Sequence, residues 1–379
     1  MENNPQIRSS DHLPEDLIAQ ILARLPSKSV AKLIVVSKLW SSIIRSKSFI
    51  DLYLERSLTR PCLLFSFHRI NRRFFHSISQ EAISEEATPE CSYTNTSSFP
   101  LSLDTRLPPL SYNVCTPVRA LICSQDLDKV VVSNPSTGQF LVLPKLNTKR
   151  KQISRFFGYD PIEDEYKVLC MTVLQLSYDY GSVVSEEHQI FTLGRADKKK
   201  EATWRMIKCN LPHCPATEGI CIDGVVYYGA WSNSKNRGSL IVGFDVRLEE
   251  FTLVKLPDGV EIYYSLDSEL VNYQRKLAVA NLSYRGKFEL WVLDKQEWSK
   301  ISVMVPSWKY LFGRDLFRCR GAISSGELIF TPLLSAWASV IIRYDRKEEI
   351  ARRVEIEGIE DRAHYMKVFL DHVECPILF

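Results

Sequence analysis

The sequence predicts a multidomain α + β protein, in which a small helical unit precedes an all-β, propeller-like domain. Apolar residues recur every three to four positions near the N-terminus, which is typical of helices, and form short alternating runs after residue 60. Strand-turn-strand units then recur at a spacing typical of propeller blades. The chain of 379 residues, 45% apolar and 25% charged, has an ordinary globular composition and is expected to form one to three domains.

Charge, hydropathy and cysteine usage exclude several classes of protein. The net charge of +3 is nearly balanced, so the composition predicts neither nucleic acid nor a membrane surface as a partner. No run approaches the roughly 18 apolar residues of a membrane span, and residues 1–11 lack the apolar core of a secretory signal. The ten cysteines contain no C-x-x-C pair, which is typical of free thiols in a reducing compartment. We therefore expect a soluble protein of the cytoplasm or nucleus.

A first amphipathic helix is predicted between Pro14 and Pro26. Pro14 suits the first helical position, where its missing N–H group costs nothing, and Pro26 ends the helix. One apolar face is formed by Leu17, Ile18, Ile21, Leu22 and Leu25.

A second helix is predicted to follow, capped by Ser27 or Ser29. Its apolar positions are Val30, Leu33, Val36, Trp40 and Ile43 or Ile44. So short a unit cannot bury this much apolar surface alone, so a partner chain or the rest of the protein must cover it. Six basic and no acidic residues lie between Leu17 and Ile50, a pattern that fits an acidic partner and a solvated helical surface equally well. A DNA-reading helix is disfavoured because Ile and Val crowd the segment.

This region resembles an F-box in the form common in plant F-box proteins. The resemblance rests on four blocks in order and spacing, namely Leu13-Pro14-Glu15-Asp16-Leu17, Ile21-Leu22-Ala23-Arg24-Leu25-Pro26, Val36-Ser37-Lys38-Leu39-Trp40 and Ser48-Phe49-Ile50. It implies an F-box over residues 8–57 that docks onto the Skp-type adaptor of SCF (Skp, cullin, F-box) ubiquitin ligases. The residues that it implies as adaptor contacts are Leu13, Pro14, Leu17, Ile21, Leu22, Leu25, Pro26, Val36, Ser37 and Trp40.

Residues 61–110 are predicted to hold two early strands and a loop. The strands are expected at residues 62–67 and 73–78, with Asn71 near the turn between them. The stretch from Gln80 to Pro109 is rich in Ser, Thr, Glu and Pro, which indicates a loop.

A weak repeat is visible from residue 111 to residue 379. Each unit has a strand that ends near Asp or Asn, a polar turn, and an aromatic residue that opens the next strand. The aromatic residues Trp204, Phe251 and Trp298 are 47 residues apart. Together with Asp-Gly hairpin signals such as Asp223-Gly224, this spacing predicts propeller blades.

The same region resembles the F-box-associated domain of plant F-box proteins, a kelch-like substrate-binding region. The best matching blocks are Phe157-Gly158-Tyr159-Asp160-Pro161 with Tyr166-Lys167-Val168-Leu169, Trp291-Val292-Leu293-Asp294 with Trp298, and Leu370-Asp371-His372-Val373-Glu374. Kelch double-glycine signatures are absent, so the number of blades stays open. Because a propeller must close, we predict that the final strand, residues 366–373, pairs with an early strand or with the blade that begins near Tyr112.

No catalytic or cofactor motif is present in the sequence. There is no G-x-S-x-G, H-E-x-x-H, Walker or G-x-G-x-x-G pattern. The spacing of Cys209, His213, Cys214 and Cys221 fits no common zinc site. His364 and His372 are expected to be structural. The loop aromatics that could meet a ligand instead of packing in the core are Tyr178, Tyr180, Trp231, Tyr263, Tyr264, Trp308, Tyr310 and Trp337. Among these, the predicted substrate-binding residues are Trp231, Tyr264, Trp308 and Trp337.

The resulting expectation is a non-catalytic substrate-recognition subunit of an SCF-type ubiquitin ligase, without cofactor or metal. Its partners are a Skp-type adaptor, a cullin bound through that adaptor, and a protein target on the β domain. Two alternatives stay open, namely an F-box interaction protein that acts outside a ligase and a propeller enzyme. The second is disfavoured because no matched carboxylate pair or metal set is visible.

Overall fold

In the computed structural model, a helical unit precedes a six-bladed β-propeller. The structure describes residues 13–69, 72–83, 94–100, 114–126, 129–149, 152–173, 185–194, 203–232, 238–262, 268–281, 286–312, 317–332, 340–357, 359 and 364–378. The helices of the N-terminal unit are α1 (Glu15–Leu22), α2 (Ser27–Leu33), α3 (Lys38–Arg45) and α4 (Lys47–Leu58). Within these ranges, every helix is too short or too polar to span a lipid bilayer.

The second predicted helix is divided in the structure. It ends at Leu33 and restarts as α3, because the Ser37 side chain accepts a hydrogen bond from the Trp40 N–H group at 3.1 Å. Ser46 starts α4 in the same way, by accepting from the Phe49 N–H group at 3.2 Å. A hydroxyl that satisfies a free N–H group favours a new helix start, and this local effect outweighs the continuing apolar periodicity.

The propeller contains the remaining regular elements. They are β1 (Cys62–Arg69), β2 (Arg72–Ser79), β3 (Thr94–Pro100), β4 (Ile122–Asp126), β5 (Lys129–Ser133), β6 (Phe140–Val142), β7 (Gln152–Asp160), β8 (Glu165–Val173), β9 (Ser185–Leu193), β10 (Arg205–Met206), β11 (Cys214–Ile222), β12 (Val225–Trp231), β13 (Ser239–Asp245), β14 (Phe251–Val254), β15 (Ser268–Tyr273), β16 (Lys276–Asn281), β17 (Lys287–Asp294), β18 (Glu297–Met304), α5 (Trp308–Phe312), β19 (Phe317–Ala322), β20 (Leu328–Pro332), β21 (Val340–Asp345), β22 (Ile350–Glu355) and β23 (His364–His372).

Six antiparallel sheets form the blades. Blade 1 has the strand order β23-β1-β2-β3, blade 2 has β4-β5-β6, and blade 3 has β7-β8-β9-β10. Blades 4, 5 and 6 are β11 to β14, β15 to β18 and β19 to β22. In the series β7, β11, β15, β19 and β23, each strand contacts the next one, which places these strands around the central axis.

Closure of the ring follows the predicted pairing. Strand β23 is antiparallel to β1, with Leu64 opposite Phe369 and Phe65 opposite Val368. The early strands β1 and β2 therefore belong to blade 1, together with β3, which lies in the stretch that was predicted to be a loop. The predicted boundary at residue 111 falls between blades 1 and 2, so it lies within the propeller and does not mark its beginning. This pairing of strands from distant parts of the chain closes the ring and covers the inner edge of β1.

The repeated Asp and Trp residues have structural roles that explain the repeat. Asp245 Oδ1 accepts hydrogen bonds from the next two turn N–H groups at 2.9 and 2.8 Å, and Asp345 Oδ1 accepts two equivalent bonds in blade 6. Trp204 Nε1 and Trp298 Nε1 each donate to a backbone carbonyl of the preceding blade at 2.7 Å. The polar residues of the repeat therefore fix turns, and its tryptophans fix one blade to the next.

His372 makes the stability of the propeller depend on pH. Its side chain is buried in the closure strand, where neither ring nitrogen has a hydrogen-bond partner among the described residues, and burial lowers its pKa to about 3. Between pH 6.5 and 3 the unfolded chain binds a proton that the folded chain excludes. The free energy of unfolding therefore falls as the pH falls through this window, by up to about 1.4 kcal/mol per pH unit.

We therefore expect a lower denaturant midpoint at pH 5 than at pH 7.5. The His372→Leu variant should show a smaller difference, because it removes the titrating group from both states. Chemical denaturation of both proteins at the two pH values provides the comparison. An equal pH difference in both proteins would contradict the assignment to His372.

Candidate functional site: an exposed apolar helical face and the propeller channel

The helical unit leaves a set of large apolar side chains in water. Their exposed fractions lie between 36% and 87%. We call this set the apolar face, and its members are Leu13, Leu17, Ile21, Leu25, Val35, Val36 and Leu39. Covering each such side chain with a partner would contribute roughly 1.5 to 3 kcal/mol before the costs of association. A cluster of this kind is typical of a protein-binding surface.

Basic side chains accompany the apolar face. Exposed side chains on α1 to α3 and their connections include Arg24, Lys28, Lys32, Lys38 and Arg45. Lys47 differs, because its ammonium group lies 3.1 Å from both Asp51 and Asp164, and these carboxylates raise its pKa. The basic charge next to the apolar face therefore comes from the first five residues.

One predicted adaptor contact, Leu22, is wrong as a surface residue. Its side chain is 1% exposed and packs in the core of the helical unit with Val30, Ile44 and Phe49. The residue beside it, Ile21, is 53% exposed. Side chains at adjacent helical positions point about 100° apart, and in α1 this difference turns Leu22 to the core and Ile21 to water.

The other predicted adaptor contacts occupy several environments. Pro14 and Pro26 are exposed at the caps that precede α1 and α2, so Pro14 stands one residue before the helix that it was expected to begin. Ser37 is exposed and also caps α3. Trp40 is half-buried and packs against the helical core.

The propeller encloses a channel along its axis. The cavity has a volume of about 1100 Å³ and is bordered at one end by Leu54 and Leu58 of α4. Lys367 of blade 1 forms an ion pair with Glu218 of blade 4, and these two blades stand opposite each other in the ring. Lys367 lies near the middle of β23, and Glu218 lies at the middle of β11.

Further charged groups line the channel wall. Arg320 Nη1 of blade 6 lies 2.6 Å from Glu269 Oε1 of blade 5, and Arg318 Nη1 lies 4.0 Å from Glu269 Oε2. Apolar inner-strand residues such as Ile220 and Leu270 complete the wall. Charged groups between apolar side chains, in a cavity of this size, suit a peptide segment or a small polar molecule.

The structure describes two of the four predicted substrate-binding aromatics, Trp231 and Trp308. Trp231 is wrong as a loop residue, because its side chain is 8% exposed and Nε1 donates to the Ile262 carbonyl at 2.8 Å. Trp308 is half-buried in α5 and packs edge-on against Phe317 and Phe330. Tyr264 and Trp337 lie outside the described residues, as do Tyr178, Tyr180 and Tyr263. Tyr310 is 89% exposed.

The Cys and His residues near blade 4 are held by protein groups. His213 has Nδ1 2.7 Å from the Leu211 carbonyl oxygen and Nε2 2.8 Å from the Tyr228 hydroxyl, and burial lowers its pKa. Cys209 donates to the same carbonyl group. Within the described ranges, no group of three or more His, Cys, Asp or Glu side chains lies close enough to hold a metal ion.

Comparison with known proteins relates both parts of the chain to described families. Residues 10–52 match an F-box domain, and residues 62–373 match an F-box associated beta propeller domain. An F-box/kelch-repeat protein of Arabidopsis thaliana is 40% identical and covers 100% of this chain and 96% of its own length. The F-box protein DOR of the same plant is 35% identical and covers 96% of this chain and 92% of its own length.

Likeness to solved structures is weak. The SapL1 lectin in complex with alpha methyl fucoside covers 80% of this chain and 99% of its own, at 10% identity and a TM-score of 0.38. The family follows from the sequence matches over nearly the whole chain, together with the exposed helical face and the closed propeller: the chain belongs to the plant F-box proteins that carry an F-box associated β-propeller domain.

Proposed function

We propose that this chain is the substrate-recognition subunit of an SCF-type ubiquitin ligase. The F-box binds the Skp-type adaptor and, through it, a cullin, while the propeller binds a target protein. The observation that carries this proposal is the apolar face, since it is an exposed hydrophobic surface on the domain whose family binds such adaptors. The family assignment supports a role in substrate recognition in general.

In this proposal the chain breaks and forms no covalent bond itself. It holds the target close to the ubiquitin-charged enzyme, so that an intermolecular encounter becomes nearly intramolecular. Effective concentrations in the millimolar range are typical of such tethering, far above the cellular concentration of most free targets. The rate of ubiquitin transfer therefore depends on two binding surfaces and on the geometry between them.

The target is proposed to bind the propeller face away from the F-box. The F-box lies at the face where β7 and β23 end, as shown by the Lys47–Asp164 contact and by the chain that follows β23. Helix α5 precedes β19 and therefore lies at the opposite face, where Tyr310 is exposed. An exposed aromatic side chain is a frequent hot-spot residue in protein interfaces.

Reconstitution tests the proposed function. The full chain is mixed with a Skp-type adaptor, cullin, RING subunit, E1, E2 and ubiquitin, and both complex formation and ubiquitin transfer to the bound subunit are measured. A stable complex that supports transfer is expected. Adaptor binding without cullin assembly would favour an F-box protein acting outside a ligase, and no adaptor binding would contradict the proposed function.

Salt is expected to slow adaptor binding. The basic residues near the apolar face should attract an acidic partner over distances comparable to the Debye length, roughly 10 Å at 0.1 M salt. Stopped-flow or surface binding at 0.05 and 0.5 M salt should show an association rate several-fold lower at the higher salt. The Lys28→Ala, Lys32→Ala double variant should lose part of this dependence. If the association rate did not depend on salt, apolar contacts alone would determine adaptor binding, and the predicted attraction by the basic residues would be wrong.

A further inference from the structure

We propose that the segment Val373–Leu378 fixes the F-box rigidly onto the propeller, with Asn134 and Glu374 as positioning residues. The consequence of this attachment for ubiquitin transfer rests on the proposed ligase function, because a fixed angle between the two domains sets where a bound target lies relative to the enzyme. The rigidity itself is a property of this chain and can be measured without a target.

The segment contributes alternate apolar side chains to the core of the F-box. Val373, Cys375 and Ile377 are each about 5% exposed or less and join the same apolar cluster as the helices. From blade 2, Ala120 joins this cluster. The F-box members are Leu22, Ala23, Val30, Ile43, Ile44, Phe49, Ile50, Tyr53 and Leu54. The two domains therefore share a continuous hydrophobic core, unlike domains joined by a flexible linker.

Glu374 connects the segment to two F-box helices. Its backbone N–H group donates to Ser57 Oγ of α4 at 2.6 Å, and its carboxylate accepts from Ser27 Oγ of α2 at 3.1 Å. Glu374 is 9% exposed and Ser27 is fully buried. Hydrogen bonds to a charged acceptor are stronger than neutral ones, and burial gives them a defined geometry.

Asn134 connects the same segment to the propeller. This fully buried residue of the β5–β6 turn donates through Nδ2 to the carbonyl oxygens of Cys375 and Ile377, at 2.9 and 2.8 Å. Its Oδ1 accepts from the Ser136 N–H group at 2.9 Å. Both amide hydrogens are therefore directed at the segment, while the carbonyl group orders the turn that presents them.

Ionic contacts add a second line of attachment between the F-box and blade 3. Lys47 Nζ lies 3.1 Å from Asp51 and Asp164. The guanidinium group of Arg119 approaches the same two carboxylates and stacks 4.4 Å from the Tyr159 ring centroid. These contacts are partly exposed and contribute modestly, so the buried segment is the principal attachment.

An electron paramagnetic resonance distance measurement tests the rigidity. Ketone-bearing amino acids, introduced at the exposed positions Lys32 of the F-box and Lys208 of the propeller, carry spin labels without using the native cysteines. The intact chain should give one narrow distance distribution. Asn134→Ala removes both donors to the segment, and its distribution should be at least twice as wide.

Asn272→Ala is the matched control. The side chain of Asn272 also orders a turn, through its Oδ1 and the Arg275 N–H group at 2.9 Å, but it does not touch the segment. Its distance distribution should equal that of the intact chain. Ser57→Ala provides a milder change on the F-box side and is informative if Asn134→Ala fails to fold. A narrow, unshifted distribution in folded Asn134→Ala and Ser57→Ala proteins would overturn the inference.

A second readout connects rigidity to ubiquitin transfer. In the reconstituted ligase, Asn134→Ala should bind the adaptor with unchanged affinity, but the set of lysines modified on the bound subunit should broaden when mapped by mass spectrometry. If Asn134→Ala broadened the distance distribution but left the set of modified lysines unchanged, the positioning role would be overturned. Absence of adaptor binding by the intact chain would instead contradict the proposed function and leave the distance result standing.

Discussion

Replacing Ile21 with aspartate is expected to abolish binding of the Skp-type adaptor while leaving the fold intact. Ile21 belongs to the apolar face and is 53% exposed, so a carboxylate there remains hydrated in the free protein. In a complex it would be buried without a partner, which costs several kcal/mol. A loss of at least about 100-fold in affinity corresponds to roughly 2.8 kcal/mol.

Isothermal titration of purified adaptor into the variant measures this loss, and circular dichroism verifies the fold. Leu253→Asp is the matched control, since Leu253 is similarly exposed at 57% but lies on β14 of the propeller. Its affinity for the adaptor should be unchanged. Normal affinity of Ile21→Asp would refute the docking surface.

The adjacent variant Leu22→Asp should behave differently. Leu22 lies in the F-box core, so its aspartate variant should lose helical signal and adaptor binding together. If both variants lose adaptor binding equally but only Leu22→Asp loses structure, Ile21 belongs to the docking surface and Leu22 belongs to the core of the F-box.

Deleting the chain from Val368 onward is expected to cause the largest loss of stability. The deletion leaves most of β1 without its inner partner and removes the buried side chains of Val368, Val373 and Ile377. Each such side chain contributes roughly 1.5 to 3 kcal/mol, against a total stability of about 5 to 15 kcal/mol for typical domains. We expect an insoluble protein or one that melts at a much lower temperature.

A shorter deletion of residues 376–379 gives a graded comparison. It keeps β23 but removes Ile377, which is buried and accepts a hydrogen bond from Asn134. Its melting temperature should therefore lie between those of the intact chain and the longer deletion. If the longer deletion melted like the intact chain, the β1–β23 pairing would not be what holds the ring closed.

Local patterns in the sequence were sufficient to predict the α + β division, the existence of blades and the closing strand. The turn-forming Asp245 and Asp345 and the anchoring Trp204 and Trp298 act mainly through hydrogen bonds that recur in more than one repeat. Such contacts leave a periodic signal. The start of α3 has no such periodic signal. It depends on one hydroxyl group, that of Ser37, which an analysis of apolar periodicity does not detect.

The sequence alone predicts a helical N-terminal unit followed by strands, more apolar side chains than the helical unit can bury, and a meeting of the two ends of the propeller. It does not show the division between α2 and α3 or the strand β3 inside the predicted loop. Which of the apolar side chains face water depends on the tertiary packing. In the sequence pattern Ile21 and Leu22 are equivalent apolar residues, and Trp231 is of a residue type that is common in binding sites. In the structure Leu22 and Trp231 are buried, whereas Ile21 is exposed. Their environments depend on chain that is distant in sequence, such as Glu374, which lies 347 positions from its partner Ser27. Burial depends on the packing of the whole molecule. A local sequence pattern therefore indicates how much apolar surface an element has, but it does not show which side of that element is covered.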